Sequence, residues 1–511
     1  MVIAALWIGT SNSQAARPNI VFVLTDDLDL EYPERSGDSW LDHYPALKKS
    51  MAARGTIFKN YFVSNALCCP SRVSMLTGQY GHNTGIFIND GLGGGFQRTY
   101  ELGVENSTVA TWLRSAGYKT VLIGKYLNGY PSAASGWNYV PPGWSEWYGN
   151  QGGLQFNYTL VENGKIVRYG TAAKDYMQDV LRRKAVDFIR RNAASADRAP
   201  FFMWLATSSP HAPAQFAPRH AGAFPGAKAP RTPTFNEADV SRQPAWLQTR
   251  PLLTPSQIAQ LDDLYRNRLR SMLAVVETVD AIIATLQQTG DLANTYIIFT
   301  SDNGFHLGQH RLPAGKSNIF EEDLRVPFIV RGPGIPAGRV LAHMTVNIDL
   351  APTFADIAGV SPTIPVDGRS LVPLLKASPP PVSAWRRAFL LEHGFIGRHL
   401  ASGAIGAGDQ PSTEFPDLDE TFVRATTSPS PNVPAIVPAP TFDGIRTGRY
   451  SYAELVDGTL NVYDVQRDPF QHVNIATSAP PAVLNQLGRW LDALRNCAGP
   501  SCRTAEDGPP Q

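Results

Sequence analysis

This 511-residue chain has almost no surplus charge: 45 Lys and Arg against 44 Asp and Glu give a formal net charge of +1 at pH 7. A protein that grips nucleic acid by neutralising phosphates carries a basic excess, so no nucleic-acid partner is expected. Long apolar runs are also lacking. The stretch Met1–Gly9 and every later one fall short of the roughly 20 residues that cross a bilayer, so no membrane anchor is expected. Cysteine is scarce, at four. Cys68 and Cys69 are adjacent, a spacing that strains a mutual disulfide and fits no C-x-x-C metal or redox motif. Cys497 and Cys502 bracket a short segment, close enough for a disulfide loop in an oxidising compartment; two free thiols on a tail is the other reading. No repeat of solenoid period is present.

What is there describes a large globular protein. Hydrophobic residues make up 43% and charged ones 17%, enough apolar material for a sizeable core, and the length suggests several domains. The 43 glycines and 41 prolines predict many turns and long ordered loops, where sites tend to sit. The apolar start followed by small residues to Ala16 reads as the remnant of a signal peptide over residues 1–16, with a buried N-terminal strand as the alternative. A signal implies a secreted or periplasmic protein, or one in a lysosome-like compartment of a eukaryote.

Continuous apolar, β-branched runs recur at Asn19–Thr25, Thr120–Ile123, Phe201–Ala206, Thr295–Thr300 and Val326–Val330, as expected of strands buried on both faces. Helical patterns lie between them, at Ala46–Arg54, Val109–Ala116, Tyr176–Arg191 and Pro255–Thr289. The alternation predicts an α/β fold with a large, mixed, mostly parallel sheet sandwiched by helices. The character changes after Leu374. Residues 377–382 read as a stiff linker, 401–440 as a long Pro/Gly/Ser-rich loop, and short strands then precede a helix over Ala482–Arg495. The expected division is a catalytic domain at 17–376 and a smaller α+β domain at 377–511 carrying a short antiparallel sheet.

In such sheets ligands bind beyond the carboxyl ends of the strands. Two predicted strands end there in Asp26-Asp27 and in Asp302-Asn303-Gly304. Three carboxylates and an amide are hard oxygen donors, suited to Ca²⁺ or Mg²⁺, and carboxylates this close would repel without a cation. The segment Cys68-Cys69-Pro70-Ser71-Arg72-Val73-Ser74-Met75-Leu76-Thr77-Gly78 reads as a helix with Pro70 in its first turn and a stop near Gly78. Cys68 would then lie at the helix N-terminus, which favours an anion, and Arg72 would offer a forked guanidinium to a tetrahedral oxyanion. Gly315-Lys316-Ser317 is no P-loop, because the required first glycine falls on His310.

The Cys68–Gly78 segment resembles the signature of the type I sulfatases, Cys-x-Pro-Ser-Arg-x-x-x-Leu-Thr-Gly. Gly124-Lys125, Pro210-His211-Ala212-Pro213, Gly315-Lys316 and the tail Tyr463-Asp464 with Asp468-Pro469 resemble other features of that family, in the same order, from Pro18 to about Leu494. The resemblance implies that Cys68 is converted to formylglycine (3-oxoalanine) by a formylglycine-generating enzyme. It implies one Ca²⁺, or Mg²⁺, on Asp26, Asp27, Asp302 and Asn303 with the modified Cys68. It also implies that Arg72, Lys125 and Lys316 neutralise sulfate oxygens while His211 protonates the leaving oxygen. A hydrated aldehyde has two hydroxyls: one attacks sulfur, and the other, on losing its proton, expels sulfate.

One departure stands out. Many sulfatases have a histidine two residues after the lysine, where this chain has Leu127; Asn128, His306 or His310 would then meet the substrate instead. Gly124–Asn128, Pro142-Gly143-Trp144 and Phe156–Leu160 are similar to the glucosamine-6-sulfatase branch. The expected activity is therefore sulfate-ester hydrolysis on a sulfated sugar of the N-acetylglucosamine 6-sulfate type or on an aryl sulfate. A phosphoester or phosphonate hydrolase of the same superfamily and a non-catalytic sulfoglycan-binding protein are the alternatives.

Overall fold

A computed structural model describes residues 17–31, 39–394 and 440–510. The signal remnant expected at 1–16 and all but the last residue of the loop expected at 401–440 lie outside the described residues.

Asn19–Thr25 sits mid-sheet, every residue buried, because its uninterrupted apolar sequence can satisfy two cores at once. It runs parallel to Phe201–Ala206 on one side and Thr295–Ser301 on the other. Beyond Phe201–Ala206 come parallel Lys119–Gly124 and Glu146–Gly152, then antiparallel Thr159–Glu162 and Lys165–Arg168. Beyond Thr295–Ser301 lie antiparallel Phe328–Arg331, then Thr56–Phe58 and Arg339–Leu341. Ten strands form this mixed sheet, with a parallel block of five at its centre.

Alternate residues of the central strand feed opposite cores. Ile20, Phe22 and Leu24 join one cluster with the helices Cys68–Thr77, Val109–Ser115 and Leu350–Ala358. Val21 and Val23 join the other, with Met177–Ala194 and the 35-residue Pro255–Thr289. The sequence pattern misses Glu146–Gly152, Thr159–Glu162 and Lys165–Arg168, since their polar residues face solvent toward the sheet edge. Val326 and Pro327 precede their strand instead of belonging to it, because Pro327 has no N–H for the ladder.

Ala388–His393, Phe442–Thr447, Tyr450–Leu455 and Leu460–Asp464 form the second, antiparallel sheet, covered by the helix Pro481–Arg495. Its apolar face is continuous with the first core cluster. Buried ion pairs add to the join: Arg386 grips both oxygens of Asp349 at 2.5 and 2.6 Å and lies 2.8 Å from Glu506, which accepts from Tyr80. Removing one partner from such a network strands a buried charge at a cost of about 3–5 kcal/mol. Cys497 and Cys502 are joined in a disulfide. Among the described residues no helix is long and apolar enough to cross a membrane.

His82 ties this C-terminal unit to the segment after Cys68–Thr77. Its Nδ1 lies 2.9 Å from Glu392 and its Nε2 2.8 Å from the Cys497 carbonyl, so both nitrogens donate and the ring is an imidazolium. Burial opposes that charge, yet Glu392 and the carbonyl outweigh it and push the pKa up to about 9. Since the folded value is the raised one, the ring's contribution, roughly 3 kcal/mol, is complete below about pH 6.5 and lost as pH rises to about 9. The melting temperature should therefore fall across that window more in the parent than in His82→Gln. Parallel curves for the two proteins would show that the ring is uncharged in the fold.

Candidate functional site

The strand registers put Thr25 level with Ser301, and Ala206 level with both Leu24 and Gly124, so four strands end together. Asp26, Asp302 and Lys125 follow directly and the 207–214 loop closes over them, with the Asp26 N–H donating to the Ser209 carbonyl at 3.1 Å. Two glycines allow the crowding. A Cβ on Gly124 would lie 1.9 Å from the Ala206 carbonyl oxygen, and one on Gly304 2.0 Å from that of Glu322.

The helix Cys68–Thr77 aims its first residue at this edge. The Cys68 Sγ lies 3.6 Å from Asp26 Oδ1, and Lys316 Nζ donates to it at 3.0 Å. Cys69 takes the opposite side, in the apolar core, with its thiol against the Asn128 and Gly95 backbone. Burial pushes the Cys68 thiol up to about 11, against the pull of Lys125 and Lys316.

Carboxylates and cations alternate around that sulfur. Lys125 Nζ meets Asp26 Oδ2 at 2.7 Å, Lys316 Nζ meets Asp27 Oδ1 at 2.8 Å, and Arg72 Nε meets Asp302 Oδ2 at 2.8 Å. Arg72 Nη2 also lies 3.6 Å from Asp26 Oδ1. Asp302 Oδ1 accepts the Asp27 and Asn303 N–H groups at 3.1 and 2.8 Å. Burial works against ionising Asp26, but Lys125, His211, Arg72 and Lys316 hold its carboxyl well below the usual range. Asp302 moves the other way, raised by burial and by Asp26 and Asp27 despite Arg72.

One oxygen from each of Asp26, Asp27 and Asp302 falls within 4.8 Å of the others. Asp27 Oδ2 and Asn303 Oδ1 are buried without a hydrogen-bond partner, although Asn303 Nδ2 is engaged with Asp27 Oδ1 at 2.6 Å. Orphaned acceptors beside three carboxylates fit a hard divalent cation, and the all-oxygen set disfavours a soft one. Asp27 itself holds a left-handed backbone, φ 69°, a strained conformation that a site can impose.

His211 lines the mouth, with its side chain 21% exposed. Its Nδ1 lies 2.8 Å from the Ala212 carbonyl and so carries the proton, leaving Nε2 facing Asp27 Oδ2 at 3.9 Å. Asn128 follows Lys125 in the loop, its carbonyl bound by Phe96 N–H and its side-chain oxygen unpartnered. His306 packs behind Gly315, oriented by Asp323, whose other oxygen takes the Asn318 N–H. His310 is placed elsewhere. It is fully buried, stacked on Phe320 at 3.9 Å, with Nδ1 near Gln243 and Glu237, because it serves the packing of the C-terminal sheet.

Three supporting residues escape the sequence reading. Ser301 accepts from Leu28 N–H and donates to the Asn303 carbonyl, tying the two acidic strand ends. Ser71 donates to the Asp302 carbonyl and is braced by Asn347. Asp323 sets the tautomer of His306. Only Ser71 carried a signal, its place inside the Cys68–Gly78 segment.

The sulfatase family model matches residues 18–360. The chain is 36% identical over 504 residues to the N-acetylglucosamine-6-sulfatase of Homo sapiens, spanning 96% of this chain and 86% of that protein. It is 30% identical over 538 residues to the arylsulfatase of Volvox carteri, spanning 98% and 79%. A solved structure in complex with its substrate D-glucosamine-2-N,6-O-disulfate superposes with a TM-score of 0.71 at 24% identity, covering 93% of this chain and 97% of that one.

The opposed shifts of Asp26 and Asp302 make a testable balance. In chelator-treated protein at neutral pH, Asp26→Asn should lower the unfolding free energy by about 3–5 kcal/mol, because Lys125 and Arg72 lose a buried partner. Urea unfolding reads this directly. A stabilised variant would mean that carboxylate repulsion outweighs pairing.

Proposed function

The chain belongs to the sulfatase family, the sulfuric ester hydrolases, and from that premise we propose that it removes sulfate from a sulfated sugar of the N-acetylglucosamine 6-sulfate type. It does so through formylglycine at Cys68 and a divalent cation, Ca²⁺ or Mg²⁺, on Asp26, Asp27, Asp302 and Asn303. The observation that carries the reading is the placement of Cys68 Sγ, 3.6 Å from Asp26 and 3.0 Å from Lys316 at the head of a helix. Burial pushes the Cys68 thiol up to about 11, against the pull of Lys125 and Lys316, which disfavours the thiolate and makes an unmodified Cys68 a poor nucleophile. The relative that is an N-acetylglucosamine-6-sulfatase supports the sugar substrate; the arylsulfatase makes an aryl sulfate the rival.

The residues take distinct tasks. Asp26, Asp27, Asp302 and Asn303 would hold the cation, which would supply Lewis-acid polarisation there. A hydrated aldehyde at position 68 would supply one hydroxyl to displace the sugar oxygen from sulfur and a second whose deprotonation expels sulfate. Lys316 and Lys125 flank the Cys68 position and neutralise charge growing on the sulfate oxygens. Arg72, fully buried and held by Asp302, fixes that field in place. His211 at the mouth keeps one proton on Nδ1, so it acts as an acid only as the imidazolium, whose Nε2–H would protonate the departing sugar oxygen. The Cys497–Cys502 disulfide supports residence outside the cytosol, where a formylglycine-generating enzyme would act during export.

Peptide mass spectrometry on native-host protein should find the Cys68 fragment lighter by the thiol-to-aldehyde difference, and Cys68→Ala should be folded and inactive. Retained turnover in that variant would sink the mechanism. A panel of N-acetylglucosamine 6-sulfate, aryl sulfate and phosphonate monoester tests the substrate, with the sugar expected to be preferred. A separate measurement addresses the proton. His211→Asn should cut kcat on the sugar ester by about 10²–10⁴-fold but spare an aryl sulfate, whose leaving group needs no protonation. Equal losses on both would assign His211 another role.

A further inference from the structure

The side chain of Arg268, on the long helix Pro255–Thr289, reaches the site and is 3% exposed. Its Nη2 donates to the Asp27 main-chain carbonyl at 2.5 Å and to Asp29 Oδ1 at 2.9 Å. Its Nη1 donates to the Pro210 carbonyl at 3.4 Å, and its Cζ lies 4.4 Å from the Phe305 ring centroid. Those contacts fall on three segments: the end of the strand bearing Asp26-Asp27, the residue before His211, and the residue after Asp302-Asn303-Gly304.

We propose that Arg268 is a positioning residue, holding the Asp27 main chain and the His211 loop at a fixed separation so that the carboxylate cluster is shaped for its cation before the cation arrives. This rests on the proposed cation site. The guanidinium suits the task because its donors point along fixed, divergent directions; one plane serves two carbonyls and a carboxylate while stacking on an aromatic face. A lysine at the same place gathers its donors at one compact nitrogen on a flexible stem and cannot span the same fixed, divergent directions. Asp27 is where such a grip is needed. Its φ of 69° is a conformation a non-glycine residue keeps only when its surroundings impose it, and Arg268 holds the carbonyl of that same residue. The Asp29 carboxylate balances the buried charge, so Arg268 remains beside the site without adding an unpaired cation to it. No reacting atom is touched, and the effect passes through Asp27 and His211.

The test compares full-length parent, Arg268→Lys and Arg268→Met, each stripped with chelator and titrated with calcium chloride by calorimetry. Loss of an outer contact of this kind weakens metal affinity by about 10- to 100-fold. We expect that range for Arg268→Met, a smaller loss for Arg268→Lys, and kcat falling in step with calcium occupancy while KM stays near the parent value. A purely structural arginine would lower the melting temperature and leave calcium affinity unchanged, and that result in either folded variant overturns the proposal. Should Arg268→Met fail to fold, Arg268→Lys decides alone. A parent that takes up neither calcium nor, in a parallel titration, magnesium would overturn the cation reading itself, and this proposal with it. Calcium binding by the parent with unaltered variants removes the positioning role only.

Discussion

Buried charge that cannot be left unpaired governs this structure. Asp26, Asp27 and Asp302 lie at the ends of two strands, and the cations that answer them come from three further segments: Arg72, Lys125 and Lys316. All six are buried or nearly so, and a single unpaired charge at that depth would cost several kcal/mol. Each segment is therefore stable in place only when the others are. Helix, strand ends and loops that share no local sequence become one cooperative unit, and the thiol of Cys68 is held where their fields converge.

That dependence explains what the sequence made legible. Asn19–Thr25, Phe201–Ala206 and Thr295–Ser301 announce themselves because a strand buried on both faces must be apolar throughout. Their acidic and polar ends are conspicuous for the same reason, and the Cys68–Gly78 segment carries its chemistry in contiguous residues. Outer strands such as Glu146–Gly152 leave no such trace, since half-exposed backbone tolerates Glu, Asn, Gln and Gly. His310 looked like a site residue from its nearness to Asp302 in the chain, yet four residues past His306 the backbone has turned into the packing against Phe320. Asp323 and Arg268 were invisible for the opposite reason. Their partners, His306 in one case and Asp27 and Pro210 in the other, are brought to them only by the tertiary fold.

The C-terminal sheet extends the same logic outward. Arg446 donates to Glu321 Oε1 at 2.7 Å, the Glu321 N–H goes to Gln471, and Gln471 Nε2 holds the Ile319 carbonyl at 3.2 Å. The loop braced in this way contains Asp323, which takes the Asn318 N–H, and Asn318 Nδ2 in turn donates to the Lys316 carbonyl at 3.2 Å. Two sets of hydrogen bonds, joined through the backbone of residues 318–323, thus lie between the small sheet and the lysine beside Cys68.

The other end of that sheet buttresses the helix bearing Cys68. The Glu392 N–H donates to the Ser64 carbonyl, just upstream of that helix, and its side chain grips His82 just downstream. Lys316 Nζ lies 3.0 Å from Cys68 Sγ, and flexible loops alone would not hold that spacing. The small sheet therefore contributes to the site although none of its strands reaches it: it fixes the two loops whose separation sets the Lys316–Cys68 contact. The small sheet shares the large one's apolar core, so its hold on these segments rests on packing as well as on hydrogen bonds.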